Sequence, residues 1–390
     1  MKLNRYSTTR QKSCTACSLA KAKCDRGVGC CTRCSQRGLS CTYPQAPPSD
    51  SVPSLAAAND HDEIALEGPS SASPANAILS PEGKYQDVLD FSNLELFCPI
   101  NADSISNRWL NSYLAIPGQK AKNYPPSITA LIRRILKSYV DAAVRGRGVP
   151  PFLHSSQTMT TYAQAPLSTC LTLIRIFEKP LPGGETATMK ALQRALDALY
   201  EEYETYDDMT QLAAFQACLM YSMIVFVKVG QVSVPFFRQT IVELQKLACC
   251  SSRQGLMCIA EQQRTRPTWE SWIVVESKRR AVFTMYLFDS LLSAQDGLPT
   301  MLGTELQGLP APASRMLWRA QTRGEWEAEY NIHLVDWPDG DFRIDELWPT
   351  PADLDEAGIL DRRVRSERWL ESVDEFGTFM YAVTSCTHAT

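Results

Sequence analysis

The chain has 390 residues, 44% hydrophobic and 21% charged, with a formal net charge of −4. It holds 14 cysteines, yet its N-terminus, MKLNRYSTTRQKS, lacks the apolar core of a signal peptide, which argues against a secreted, disulfide-framed protein. Charge is segregated: residues 1–44 carry nine Lys or Arg against one acid, Asp25, a formal +8, so the other 346 residues sum to −12. A basic head precedes an acidic body.

Residues 1–13 form a basic tail that includes Lys12. Six cysteines follow, Cys14, Cys17, Cys24, Cys31, Cys34 and Cys41, as C-x2-C-x6-C twice over, with six residues between the halves. Thiolates hold zinc in a tetrahedron at about 2.3 Å, and a two-residue gap lets neighbouring cysteines close on one ion. No histidine occurs before His61, so the local donors are sulfur alone. Two isolated tetrahedral sites need eight thiolates; six suffice where two sulfurs are shared. Iron–sulfur clusters generally take four cysteines each in other spacings. A copper–thiolate sensor leaves the interleaved lysines and arginines unexplained. So short a segment, poor in large apolar side chains, cannot bury a stabilising core and needs a metal staple. It is expected to be unfolded without metal.

The segment CTACSLAKAKCDRGVGCCTRCSQRGLSCTYP, with its Lys-x-Lys-Cys-Asp run and closing Cys-Thr-Tyr-Pro, closely resembles the DNA-binding module of the fungal binuclear zinc-cluster transcription factors. The resemblance implies two short helix-loop halves around two zinc ions. Cys14 and Cys31 would bridge; Cys17 and Cys24 would complete one ion, Cys34 and Cys41 the other. It further implies a short helix over Ser18–Lys23 that enters the major groove of double-stranded DNA and reads a CGG triplet. Lys21 is the candidate for base readout, because lysine can donate to guanine O6 and N7. Lys23 would contact phosphate, which positions without specifying. Arg26, Arg33 and Arg37, with Lys12 from the tail, are further candidate DNA contacts. Two features depart from the family: Gly29 stands where proline is usual, and Cys30 adds a seventh thiol beside Cys31. Cys30 is read as an oxidisable bystander; a metal- or redox-responsive role is the alternative.

Residues 45–84 are rich in Pro, Ser, Ala and acid, a composition that cannot repay its ordering entropy, and are expected to be a disordered linker. Prolines 44, 47, 48 and 53 interrupt the place where family members carry a coiled coil. Monomer and homodimer both stay open.

Residues 85–390 are expected to be one large all-α regulatory domain. Ser127–Val144 places Ile128, Leu131, Ile132, Ile135, Leu136, Tyr139 and Val140 on one face, with Ser127 as N-cap. Glu185–Glu204, Phe236–Ala248 and Trp272–Leu292 continue the series. Leu212–Val229 is apolar nearly all round; Gln216, Ser222 and Lys228 favour a buried core helix over a membrane span. Strand alternation is nowhere persuasive. The pieces Trp269-Glu-Ser-Trp272, Glu276-Ser-Lys-Arg-Arg280 and Gly297-Leu-Pro299 resemble the regulatory region of the same factors. Cys98-Pro-Ile100, Arg108-Trp109-Leu110 and Pro150-Pro-Phe152 before His154 resemble regulators of fungal secondary-metabolite gene clusters. Glu276, Arg279 and Arg280 are expected to pair along a solvated helix edge, with Trp272, Val275, Phe283, Tyr286 and Leu287 facing the core. Residues 325–356 mix acid with Trp326, Tyr330, Trp337, Phe342 and Trp348. They suit either a coactivator-binding segment or an arm wrapped on the body.

No hydrolase elbow, nucleotide-binding glycine loop or HExxH motif occurs, so no enzyme is expected. His61, His154, His333 and His388 are read as structural or exposed. The sequence thus predicts a nuclear, sequence-specific regulator of RNA polymerase II genes. A helical co-regulator whose zinc module binds protein is the rival.

Overall fold

The structure is a computed structural model that describes residues 13–15, 17, 20–25, 31–37, 41, 77–79, 85–108, 110, 114, 121–122, 124–159, 161–179, 184–201, 203–229 and 234–387. Lys12, Arg26, Gly29, Cys30, His61, Trp109, His388 and most of the 45–84 segment lie outside them. The chain divides into two compact units, Met1–Ala72 and Ser73–Thr390, each described by itself.

The second unit is mostly helical. Its centre is the Asp208–Ile224 helix, buried on nearly every side and capped by Asp207, whose carboxylate accepts the Thr210 N–H at 2.7 Å. Helices Pro126–Val144, Ala165–Leu173, Glu185–Glu201, Val234–Arg253 and Trp269–Gln295 all pack against it. That encirclement explains an apolar helix long enough to cross a membrane: 83% of its most apolar stretch is buried within the protein. Ile128, Ile132, Leu136 and Val140 form the buried stripe of Pro126–Val144, while Leu131, Ile135 and Tyr139 are half-buried at its edge. The helix begins at Pro126 after Pro125, with no side-chain cap, so Ser127 is not the N-cap. Proline in the first turn loses nothing there, since its missing N–H would be unpaired anyway.

Trp269–Gln295 is the longest helix, 27 residues or about 40 Å, and starts at Thr268, which accepts the Ser271 N–H. Trp272, Val275, Phe283, Tyr286 and Leu287 are buried, as the periodicity predicts. Three two-stranded antiparallel ladders escape that periodicity because each is two or three residues long: Ala77–Leu79 with Tyr85–Asp87, Leu96–Phe97 with Met257–Cys258, and Ala121–Lys122 with Thr300–Met301. Gly255 allows the second ladder to close: its φ is +128°, and a Cβ there would lie 2.4 Å from that of Leu96.

The acidic-aromatic stretch lies on the body. Trp326 and Tyr330 join Trp269, Trp272 and Trp318 in one buried cluster, and Trp337 and Phe342 enter the main core.

Candidate metal centre and nucleic-acid interface

Among the described residues of the first unit, Thr15 and Cys17 are helical, and Ala20–Lys21 form a turn. Lys21 takes a left-handed φ of +48°, and the Ala22 N–H reaches back to the Cys17 carbonyl at 2.9 Å. That six-to-one bond after a left-handed residue is the Schellman ending of a helix. The helix expected over Ser18–Lys23 therefore stops early: Lys21 stands in the terminating turn, and Lys23 in irregular chain beyond it. Both lysines are exposed. In the second half, Thr32–Arg37 forms one short helix, and Cys34 is its buried residue.

The six predicted cysteines come together as two overlapping groups of four. One is Cys14, Cys17, Cys24 and Cys31; the other is Cys14, Cys31, Cys34 and Cys41, with the sulfurs of each group within 4.8 Å of one another. Cys14 and Cys31 belong to both. Sulfur separations are 3.8 Å for Cys14–Cys31, 3.7 Å for Cys14–Cys34 and 3.6 Å for Cys17–Cys31. A disulfide needs about 2.05 Å. A tetrahedron with bonds of about 2.3 Å has edges of about 3.8 Å. The separations match the tetrahedral edge, so the donor set fits a zinc–thiolate centre.

Without a cation this crowding disfavours ionisation. The Cys17 backbone N–H lowers the Cys14 thiol, but burial and hydrogen bonds with the Cys17, Cys41 and Cys34 thiols outweigh it and push Cys14 up to about 12. Burial is the leading cause that raises Cys34. A divalent ion reverses this balance by displacing the protons, so metal binding and folding of the head are coupled.

Two links join the halves, and sequence reasoning missed both. The Asp25 carboxylate accepts the Thr32 N–H at 3.1 and 3.2 Å and also the Thr32 hydroxyl, capping the second helix from the first half. Those hydrogen bonds hold Asp25 below the usual carboxylate range. Arg33, expected on the DNA backbone, is half-buried and donates from Nη1 to Cys17 Sγ at 3.7 Å. Arg37 is exposed. The available signal was Asp25 itself, the single acid in a basic head and seven residues before a helix start.

In the body, the Glu276–Arg279–Arg280 edge is not solvated: all three are fully buried. Glu276 accepts from Arg279 at 3.0 Å, from Arg280 at 2.6 Å and from the Ala313 N–H at 2.9 Å. Arg279 continues to Glu261 at 3.2 Å, and Arg280 to Asp374 at 2.6 Å with its guanidinium 4.2 Å from the Trp318 ring. A second pair fixes Arg108 between Asp289 and Glu305, each at 2.9 Å. Helical spacing showed which charges share a face but not that three further segments fold over it. His154 is buried and caps a 3-10 turn, and His333 pairs with Asp341 at 2.7 Å.

The architecture is thus a sulfur-only metal head and a separate helical body locked by buried ion pairs. A fungal Zn(2)-Cys(6) binuclear cluster domain matches residues 12–50, and a fungal specific transcription factor domain matches residues 196–385. The chain is a member of the fungal zinc-cluster transcription factors, zinc-binding and DNA-binding regulators of transcription. Both matched domains are regulatory, and neither is an enzyme family. No curated protein and no solved structure matches the chain.

Proposed function

We propose that Cys14, Cys17, Cys24, Cys31, Cys34 and Cys41 hold two zinc ions, with Cys14 and Cys31 shared between them. The observation that carries this is the pair of overlapping four-sulfur groups with exactly two members in common. Four terminal sulfurs and two shared ones complete two tetrahedra. Six thiolates and two zinc ions leave a net charge of −2 on the centre, which the Arg33 guanidinium offsets in part through Cys17. Its role is then to support a metal ligand as well as to add to the positive field.

The head binds double-stranded DNA at CGG-like half-sites. Lys21 reads base edges, Lys23 and Arg37 hold phosphate, and Lys12 and Arg26 extend the cationic surface. A lysine in a left-handed turn has its backbone fixed by the Ala22–Cys17 bond, which presents its side chain from a defined point. The chain after the head, residues 45–390, sums to −12 and is repelled by DNA, so contact falls to the head. The protein acts in the nucleus on RNA polymerase II genes, and the pathway assignment, a secondary-metabolite gene cluster, rests on sequence resemblance. In that resemblance Arg108, Phe152 and His154 are packing residues of the body.

The decisive experiment measures zinc content and DNA affinity together. Two zinc ions per chain are expected, and Lys21→Ala should lower affinity for a CGG-containing duplex roughly 10-fold or more while barely changing affinity for a scrambled one. Equal losses on both duplexes would make Lys21 a phosphate contact. One ion on four of the thiols would remove the shared-sulfur assignment.

A further inference from the structure

We infer that the outer face of the Arg323–Asp336 helix docks an amphipathic helix of a partner protein, one that carries lysine or arginine along an edge of its apolar stripe. The starting observation is a helix with two apolar sides. Trp326 and Tyr330, with Trp337 just past its end, are buried on the body. One such stripe is enough to hold a surface helix in place. Ala328, Ile332 and Val335 nevertheless recur at i, i+4 and i+7 on the opposite side, and all three are exposed. Ile332 is 54% exposed, and Val335, at 78%, is the most exposed large apolar side chain among the described residues. Single exposed apolar residues are ordinary; a second stripe at helical spacing marks a contact surface.

A second helix meets the end of this strip. Arg368 donates from Nη1 to the Asp336 carbonyl at 2.7 Å, so the Glu356–Ser372 helix abuts the C-terminal end of Arg323–Asp336. Val364 and Leu360 lie one and two turns before Arg368 on the same face, and both are exposed. Residues 325–356 suited either a partner-binding segment or an arm wrapped on the body. The helix serves both uses by dividing its faces, with aromatic side chains inward and aliphatic and acidic ones outward.

Charge beside the strip selects the partner. The helical period sets Glu325, Glu329 and Asp336 along one edge of it, and no lysine or arginine of the helix shares that edge. Glu325 accepts the Gln321 N–H at 2.9 Å, while the Glu329 and Asp336 carboxylates have no ion-pair partner among the described residues. The other edge is already answered: Arg266 pairs with Glu327 at 3.6 Å and donates to Asn331 at 3.1 Å. An apolar stripe with a cationic edge fits both features, since apolar contact supplies affinity and opposite charge fixes orientation. A second copy of this chain would bring the same acidic edge and an Arg266 that is already engaged.

The test uses the full-length zinc-loaded protein and the fluorescence anisotropy of a labelled Leu/Lys peptide, with leucines at i, i+4 and i+7 and lysines along one edge. A Leu/Glu peptide of the same pattern and a shuffled Leu/Lys peptide are the controls. The patterned Leu/Lys peptide should bind saturably, one per chain, and about 10-fold or more tighter than either control. Ile332→Ser with Val335→Ser should weaken it about 10-fold or more, while melting, zinc content and DNA affinity stay those of wild type. Glu329→Lys with Asp336→Lys should weaken it several-fold and flatten its salt dependence. Loss of peptide binding with DNA binding intact separates this surface from the DNA-reading assignment, on which it does not depend. No binding by wild type, or undiminished binding by the serine variant, overturns the proposal. Shuffled peptide bound as tightly as patterned peptide shows general attraction to an acidic protein and overturns it too. Equal binding of the Leu/Glu peptide overturns the cationic edge. Self-association of wild type that the serine variant abolishes, followed by sedimentation, assigns the strip to a second copy and overturns the partner named here. Should the serine variant melt early, the lysine variant decides: undiminished affinity overturns the proposal.

Discussion

The head and the body solve the problem of burying charge in opposite ways. In the head, the buried groups are four cysteines, Cys14, Cys17, Cys31 and Cys34, and the charge they must shed is answered by metal. In the body, arginine and glutamate are buried together after more than fifty apolar side chains have excluded water around them. Among the described residues of the head the buried cluster is cysteine alone, so its order is expected to depend on an ion. The body has a core first and adds ion pairs to it, so those pairs define which segments meet. Conditional order suits a small reader of DNA; a pre-paid core suits a platform that must stay folded.

Metal removal gives the sharpest contrast. Structural zinc supplies on the order of 10 kcal/mol of folding free energy to such modules. Chelation should therefore unfold the head and abolish DNA binding, while the helical circular dichroism and melting of the body stay as they were. A body that melts with the head would break the comparison.

Next in size is Glu276→Ala. It removes the carboxylate the two arginines share, leaving Arg279 with Glu261 alone and Arg280 with Asp374 alone, and should cost about 3–5 kcal/mol in urea unfolding. DNA affinity per folded molecule should not change, since the head does not depend on this pair.

Lys278 sharpens the contrast further, because it is fully buried and its charge is answered by neither device. Its folded-state value of about 8 lies below the ordinary 10.5, so the unfolded chain binds more protons between those values. Stability from this group should then be lowest below pH 8 and should rise as pH climbs towards 10.5. Lys278→Met should gain about 3 kcal/mol near neutral pH, and the gain should vanish above pH 10.5. A pH-independent difference between the two proteins would show that the ammonium is not the cause.

The smallest expected effect returns to the head. Thr32→Val removes the hydroxyl that Asp25 accepts from and keeps both the side-chain shape and the backbone N–H. It should weaken DNA binding several-fold, equally on CGG and scrambled duplexes, with zinc content unchanged. A loss confined to the CGG duplex would mean that the Asp25–Thr32 link sets specificity as well as order.

The sequence by itself determined the sulfur set of the head, because metal coordination imposes short, fixed spacings between donors that are close along the chain. It also determined the helical character of the body and the inward faces of Pro126–Val144 and Trp269–Gln295, because a 3.6-residue period is a local property. Tertiary structure alone decided three things: that Lys21 closes a turn instead of riding a helix, that Arg33 reaches a sulfur, and that Glu276, Arg279 and Arg280 are enclosed. In each case the deciding partner is remote in sequence or in backbone angle: Cys17 for Arg33, and Glu261, Ala313 and Asp374 for the charged helix face. Periodicity reports which side chains share a face, and only the folded chain determines what covers that face.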